Sequence, residues 1–241
     1  MAEADMERCI SFEYLIEFSK DRSHRFRIDL DPDTLELRTS HKGGHLPEWT
    51  TLGFGKCRVC PLEETSHTHC PVAVSMVELV DFFKDFVSHW KADVTVSTGD
   101  RQYRKRTTVQ TLLSSMVGIY MVTSGCPVLD RLRPMVETHL PFSSPQDTVY
   151  RTVSMYLFAQ YALNKHGLQP DWTLEGLVDF YHDVTEVNSG FCQRLNAIPH
   201  EGDANINALA ILNSMALITR MSVEEDRLAH WESLFLRHWG R

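Results

Sequence analysis

Apolar and polar positions alternate with a period of two near the start of the chain. Phe12, Tyr14, Ile16 and Phe18 are separated by Glu13 and Glu17, and further on Phe26, Ile28 and Leu30 are separated by Arg27 and Asp29. That period belongs to strands with one buried face, so the two segments are expected to pair as an antiparallel hairpin. Asp31 to Thr34 carries turn chemistry, Leu35 to Arg38 is expected to add a third strand, and Gly43, Gly44 and Pro47 mark a loop before Trp49 and Leu52. From Pro71 the period changes: Val72, Val74, Met76, Val77, Leu79, Val80, Phe83 and Val87 recur every three or four residues, which predicts a helix over 71–90. A second hairpin is expected over 93–106, turning at Gly99-Asp100, with Val94 and Val96 facing one side.

Beyond it the pattern is helical, with segments near 108–123, 127–139, 145–166, 173–196, 204–221 and 223–238. Ser144 before Pro145 and Asp147 reads as a cap, Gly167 as a stop, and Ser222 with Glu225 as a capping box. The fold class that follows is α+β: a small N-terminal antiparallel β region, joined by the hairpin near 93–106, packed on a larger body of about six or seven helices. The organisation is a β region over 1–56, a Cys/His loop over 57–70 and a helical region over 71–241, as one continuous globular unit.

Composition narrows the class. With 241 residues, 43% of them hydrophobic, the chain can bury a core without help from disulfides. A net charge of −8 argues against a nucleic-acid partner, and the basic run Arg101 to Arg106 is too short to reverse that. The first residues, MAEADMER, are acidic and lack the apolar segment of a signal peptide, and no run of about 18 uncharged apolar residues follows. The expectation is a cytoplasmic protein with no membrane partner, in which the six cysteines stay reduced.

Those cysteines carry the main chemical signal. Cys57, Cys60 and Cys70, with His67 and His69, fall in the fourteen residues CRVCPLEETSHTHC. A C-x2-C pair can place two sulfurs on one ion from a single turn, and a later ligand closes a polar loop that otherwise gains nothing by ordering. Cys60, Cys70 and Cys126 each precede a proline, a residue suited to the first turn of a helix, where free N–H groups and the helix dipole favour a thiolate. Two ligand sets are open: Cys57, Cys60 and Cys70 with His67 or His69, or the same three with Cys126. Zinc is the expected metal, in a structural role; an iron–sulfur cluster is the alternative, making the protein a redox sensor or electron carrier. Cys126 could also act as a reactive thiolate, although nothing near it resembles a nucleophile signature. Cys9 and Cys192 are expected to be core residues.

Elsewhere the chemistry is thinner. His182, Asp183 and Glu186, with Asp203, Asn205 and Asn207 opening the next helix, could line a polar pocket and support a metal-independent enzyme. Ordinary capping and a solvated helix face explain them more simply. His139 is expected to cap a helix end. The chain contains no GxxxxGK[ST], H-E-x-x-H or G-x-S-x-G, so nucleotide, zinc-protease and serine-hydrolase readings have no support.

The segments CPLEETSHTHCPVAV, SGCPVLDRLRPMVETHLPF and PDWTLEGL resemble a family of uncharacterised bacterial proteins, over most of residues 10–220. The resemblance implies a bacterial origin and one continuous architecture, and assigns no activity, so whether the protein is an enzyme stays open. The expectation is a metal-binding protein whose helical surface takes an unidentified protein or small-molecule partner, as a monomer or a homodimer.

Overall fold

The computed structural model describes residues 9–38 and 45–240; the acidic first residues and the loop expected at Gly43 and Gly44 lie outside them. The architecture is α+β. Four strands, β1 (Ile10–Ser19), β2 (Arg22–Leu30), β3 (Lys91–Thr98) and β4 (Arg101–Thr108), form one antiparallel sheet in the order β2-β1-β3-β4. The second hairpin thus extends the first, with Tyr14 opposite Phe26 on one side and Val96 on the other. Phe12, Tyr14, Ile16, Ile28, Val94 and Val96 share the buried face, as the period of two requires. The charged outer strand β4, RQYRKRTT, leaves an edge that a second sheet cannot easily join.

The chain divides into two compact units: residues Met1–Phe142 with Glu186–Leu212, and residues Ser143–Thr185 with Asn213–Arg241. In the first, helices α1 (Pro71–Phe83) and α2 (Val109–Thr123) pack on the sheet. Phe82, Phe83 and Phe86 meet Phe26, Phe18 and His24 in an aromatic cluster, and the Tyr14 hydroxyl reaches Ser115 of α2 at 2.9 Å. The direction of the two helices follows from two contacts. Val109 and Gln110, opening α2, donate to Trp90 and Ser88 just beyond α1, while Ser75 near the start of α1 contacts the Tyr120 carbonyl near the end of α2. The helices are therefore antiparallel, and the start of α1 lies beside the exit of α2.

Several elements differ from the sequence expectation. Helix α1 stops at Phe83 rather than near 90, because residues 84–88 turn to receive 201–204: Lys84 and Phe86 carbonyls accept from Gly202 and Ala204, and Asp203 accepts from the Ser88 N–H and hydroxyl. Leu35 to Arg38 is not a strand; it makes one isolated bridge, Leu30 to Leu37, and Leu35 has a φ of 59°. The segment Leu129–Thr138 is a 3-10 helix, in which Pro134 supplies no N–H for an α-helical bond. Cys9 and Cys192 are only half-buried.

In the second unit, α3 (Pro145–Lys165) opens with a complete capping box between Ser144 and Asp147, as expected. Helices α4 (Glu175–Ala197) and α5 (Ala204–Glu224) contribute residues to both units. Helix α5 runs past the expected break: the Ser222 hydroxyl bonds back to the Ile218 carbonyl at 2.7 Å instead of capping, and α6 (Ala229–Trp239) follows a turn at Asp226. By length and composition alone, α5 is apolar enough to cross a membrane, with a mean hydropathy of 1.4. It also contains Asn205, Asn207 and Asn213, and Ala204, Ala208 and Leu209 are buried in the first unit.

Asp171 ties the turn before α4. It accepts from Thr173 N–H and hydroxyl, the Gly176 N–H and the Tyr156 hydroxyl, at 2.7–2.8 Å. Burial alone raises its pKa, but these bonds outweigh it and hold the carboxyl at about 2, below its ordinary 3.8. A carboxyl depressed in the folded state stabilises it fully above the unfolded value and loses that contribution as pH falls through the folded one. Replacing Asp171 with Asn should cost about 1–2 kcal/mol at neutral pH. The difference between wild type and variant should shrink as pH falls from about 4 to about 2. Urea unfolding at several pH values, read by tryptophan fluorescence, checks this; a difference constant with pH would show that the charge of Asp171 does nothing.

Candidate metal centre

The site is organised around a buried cation. Arg194, on the C-terminal half of α4, is 2% exposed, and its guanidinium donates to three backbone carbonyls: Trp49 at 2.6 Å, Thr51 at 2.7 Å and Leu52 at 3.1 Å. That grip holds residues 49–52 in place. The same stretch pairs with the end of the Cys/His loop, since Leu52 N–H donates to Thr68 and Cys70 N–H to Thr50, with Thr51 bridged to His69. Cys70 is thereby fixed at the N-cap of α1, where Pro71 occupies the first turn.

Two glycines allow α4 to come close. Gly55, at φ +65°, lies under the Arg194 side chain, where a β-carbon would meet Cγ at 3.2 Å. Gly190, one turn before Arg194, faces Cys57: a β-carbon there would stand 2.8 Å from Cys57 Cβ and 3.0 Å from its Cα. Cys60 follows in a tight turn, its N–H donating to the Cys57 carbonyl at 3.1 Å. Cys126 lies just past the exit of α2, beside the start of α1 as the antiparallel helices require. Its carbonyl accepts from Asp130, and its N–H donates to the Ser124 hydroxyl at 3.2 Å.

The four thiols sense one another. Burial, and then the charges of Cys60, Cys126 and Cys70, push the Cys57 pKa up to about 12. Burial also raises Cys126, and the nearby backbone of Leu129 and Val128 only partly opposes it. Burial thus works against the thiolate that the place of Cys126 at a helix start favours. Arg194 is lowered by burial and raised by Cys70, Cys57 and Cys60. Among the described residues, no three or more His, Cys, Asp or Glu side chains are arranged as ligands of one metal ion. The contact of Gly190 with Cys57 and the pairing of Thr50 with Cys70 bring those two residues near the stretch that Arg194 holds.

Each histidine of the loop has a hydroxyl neighbour. His67 is exposed, with Nδ1 2.9 Å from Ser66 Oγ, and His69 Nδ1 lies 2.9 Å from Thr50 Oγ1. In the other polar constellation Asp203 serves the backbone of a neighbouring turn. Asp203 joins Ser88 and Asn207, Glu186 lies 3.9 Å from the exposed Arg58, and His182 is exposed. His139 contacts the Tyr14 hydroxyl and Ser115 and packs edge-on against Phe12, so it braces β1 against α2.

A family model described as a domain of unknown function (DUF6901) matches residues 12–236. The chain belongs to this family. No curated protein and no solved structure matches it. The family description assigns no activity, so any function has to come from the chain's own residues. Sequence reasoning found the cysteines and missed Arg194, a lone arginine in the amphipathic stretch VNSGFCQRLNA. Its signal was faint: a long cation in register with the apolar positions Val187, Phe191 and Leu195.

Gly190→Ala should destabilise the protein by about 1–3 kcal/mol, because neither the α4 backbone nor Cys57 can yield easily. Chemical denaturation measures this; a cost below about 0.5 kcal/mol would mean that α4 does not press on the cysteine loop as described.

Proposed function

We propose that the protein binds a metal through the thiolates of Cys57, Cys60, Cys70 and Cys126, with zinc(II) as a structural ion. What supports this reading is the placement of the cysteine-bearing segments: Gly190 of α4 lies against Cys57, Cys70 pairs with Thr50 inside the stretch that Arg194 holds, and Cys126 follows α2 beside the start of α1. A four-thiolate set is a complete tetrahedral shell for zinc and leaves no position for a substrate, so its action is to hold structure rather than to catalyse. It would join three places at once: the C-x2-C turn, the N-cap of α1 and the exit of α2. The polar loop between Cys60 and Cys70 then has a reason to be ordered. Among the described residues all six cysteines are free thiols, which suits a reducing compartment such as the cytoplasm. With the centre in this role, the helical surface is the place for a protein or small-molecule partner.

A second reading is favoured by the absence, among the described residues, of side chains arranged on one metal ion. An iron–sulfur cluster spreads its four cysteines over two or four irons, so its thiolates need not converge on one point, and the protein would then carry or sense electrons. One experiment separates the two. Protein purified without oxygen and without a tag is assayed for metal by mass spectrometry, with a visible spectrum, alongside the double variant Cys57→Ser/Cys60→Ser. The proposal expects about one zinc per chain, no visible absorption, and no metal in the variant, which melts at a lower temperature. Iron with sulfide and a brown colour would establish the cluster instead; metal-free wild-type protein, or full metal retained by the variant, would refute the site.

A further inference from the structure

We infer that Arg194 is the counter-charge of the thiolate centre, a positioning residue that makes an anionic four-sulfur complex stable at this place in the fold. The inference rests on the metal-binding reading above and adds to it a residue outside the ligand set. Three observations carry it. The guanidinium is almost wholly buried, yet none of the ion pairs among the described residues gives it a carboxylate. Three of its five N–H donors are used on the carbonyls of Trp49, Thr51 and Leu52, which satisfies hydrogen bonds and leaves the charge without a partner. The side chain that bears it lies against Gly55, and Gly190, one turn before it on α4, lies against Cys57.

An isolated cation is costly to bury, and carbonyl dipoles offset only part of that cost. Four thiolates around a divalent ion, or around a cluster of charge 2+, carry a net charge of 2−. Arg194 then reduces the charge of the buried assembly to 1−. Each partner supplies what the other lacks: the complex gives the guanidinium an anion, and the guanidinium lowers the cost of holding an anion in a half-buried site. Lysine cannot span three carbonyls but keeps the charge, whereas glutamine keeps a hydrogen-bonding head and loses it. The two substitutions therefore separate an electrostatic role from a purely structural clamp.

The test measures metal affinity by chelator competition, using the metal found in wild-type protein, for wild type, Arg194→Lys and Arg194→Gln. Arg194→Gln should bind roughly 10–100-fold more weakly, as removing an outer partner of a metal site does, while Arg194→Lys recovers most of that loss. Equal losses in both variants would overturn the inference and leave Arg194 as a backbone clamp. Metal-free wild-type protein would instead overturn the binding reading, and this inference with it. If neither variant folds, the wild type still decides. The Arg194 Nε–H signal, followed by nitrogen-15 NMR, should exchange more slowly with water in loaded than in metal-free protein; identical exchange in the two states would contradict the inference.

Discussion

The grip of the Arg194 guanidinium on the carbonyls of Trp49, Thr51 and Leu52 is the contact on which the region around the cysteines depends. Residues 49–52 have little regular structure of their own, with one short 3-10 turn at Glu48–Thr50 and a two-sided pairing to 68–70. Their carbonyls would be poorly satisfied near the core without a donor that can serve several at once, and arginine is the side chain with the geometry to do so. Holding 49–52 holds 68–70, and that places Cys70 at the head of α1. Because the donor sits on α4, the same contact brings Gly190 down onto Cys57. One buried charge thus links a loop, a helix start and a distant helix.

The remaining sulfur is placed by different physics. Cys126 lies beside the start of α1 because α1 and α2 lie antiparallel on one face of the sheet, and that arrangement comes from burial of the β1 and β3 apolar face and the aromatic cluster around Phe83. Hydrophobic packing and hydrogen bonding therefore converge on one location from opposite sides. The proposed metal would add a third, covalent-like constraint to segments that the fold already orders, which lowers the chain entropy lost on binding.

The legible parts of this fold were those whose pattern is local. Alternation over 12–18 and 26–30 and the turn at Gly99-Asp100 announced both hairpins, and Ser144, Pro145 and Asp147 announced the start of α3. Where tertiary contacts decide, the pattern misled. Val87 continues the apolar period of α1, yet the carbonyls of Lys84 and Phe86 are taken by Gly202 and Ala204, more than a hundred residues away. Ser222 and Glu225 look like a cap, yet a serine hydroxyl inside a helix can equally bond back one turn, as Ser222 does. The cysteines of the site were visible through their clustering and their prolines. Their balance of charge was not, because desolvation of Cys57 and Cys126, and the place of Arg194 among them, arise only from folding.

The central proposal is that four sulfurs and no histidine surround a metal beside Arg194. X-ray absorption at the edge of the metal found in purified protein reads the first coordination shell directly. The account predicts a shell of sulfur alone, four per zinc at about 2.3 Å. A cluster would retain an all-sulfur shell and add iron–iron scattering. A nitrogen ligand in the shell would return His67 or His69 to the site and contradict the four-thiolate centre.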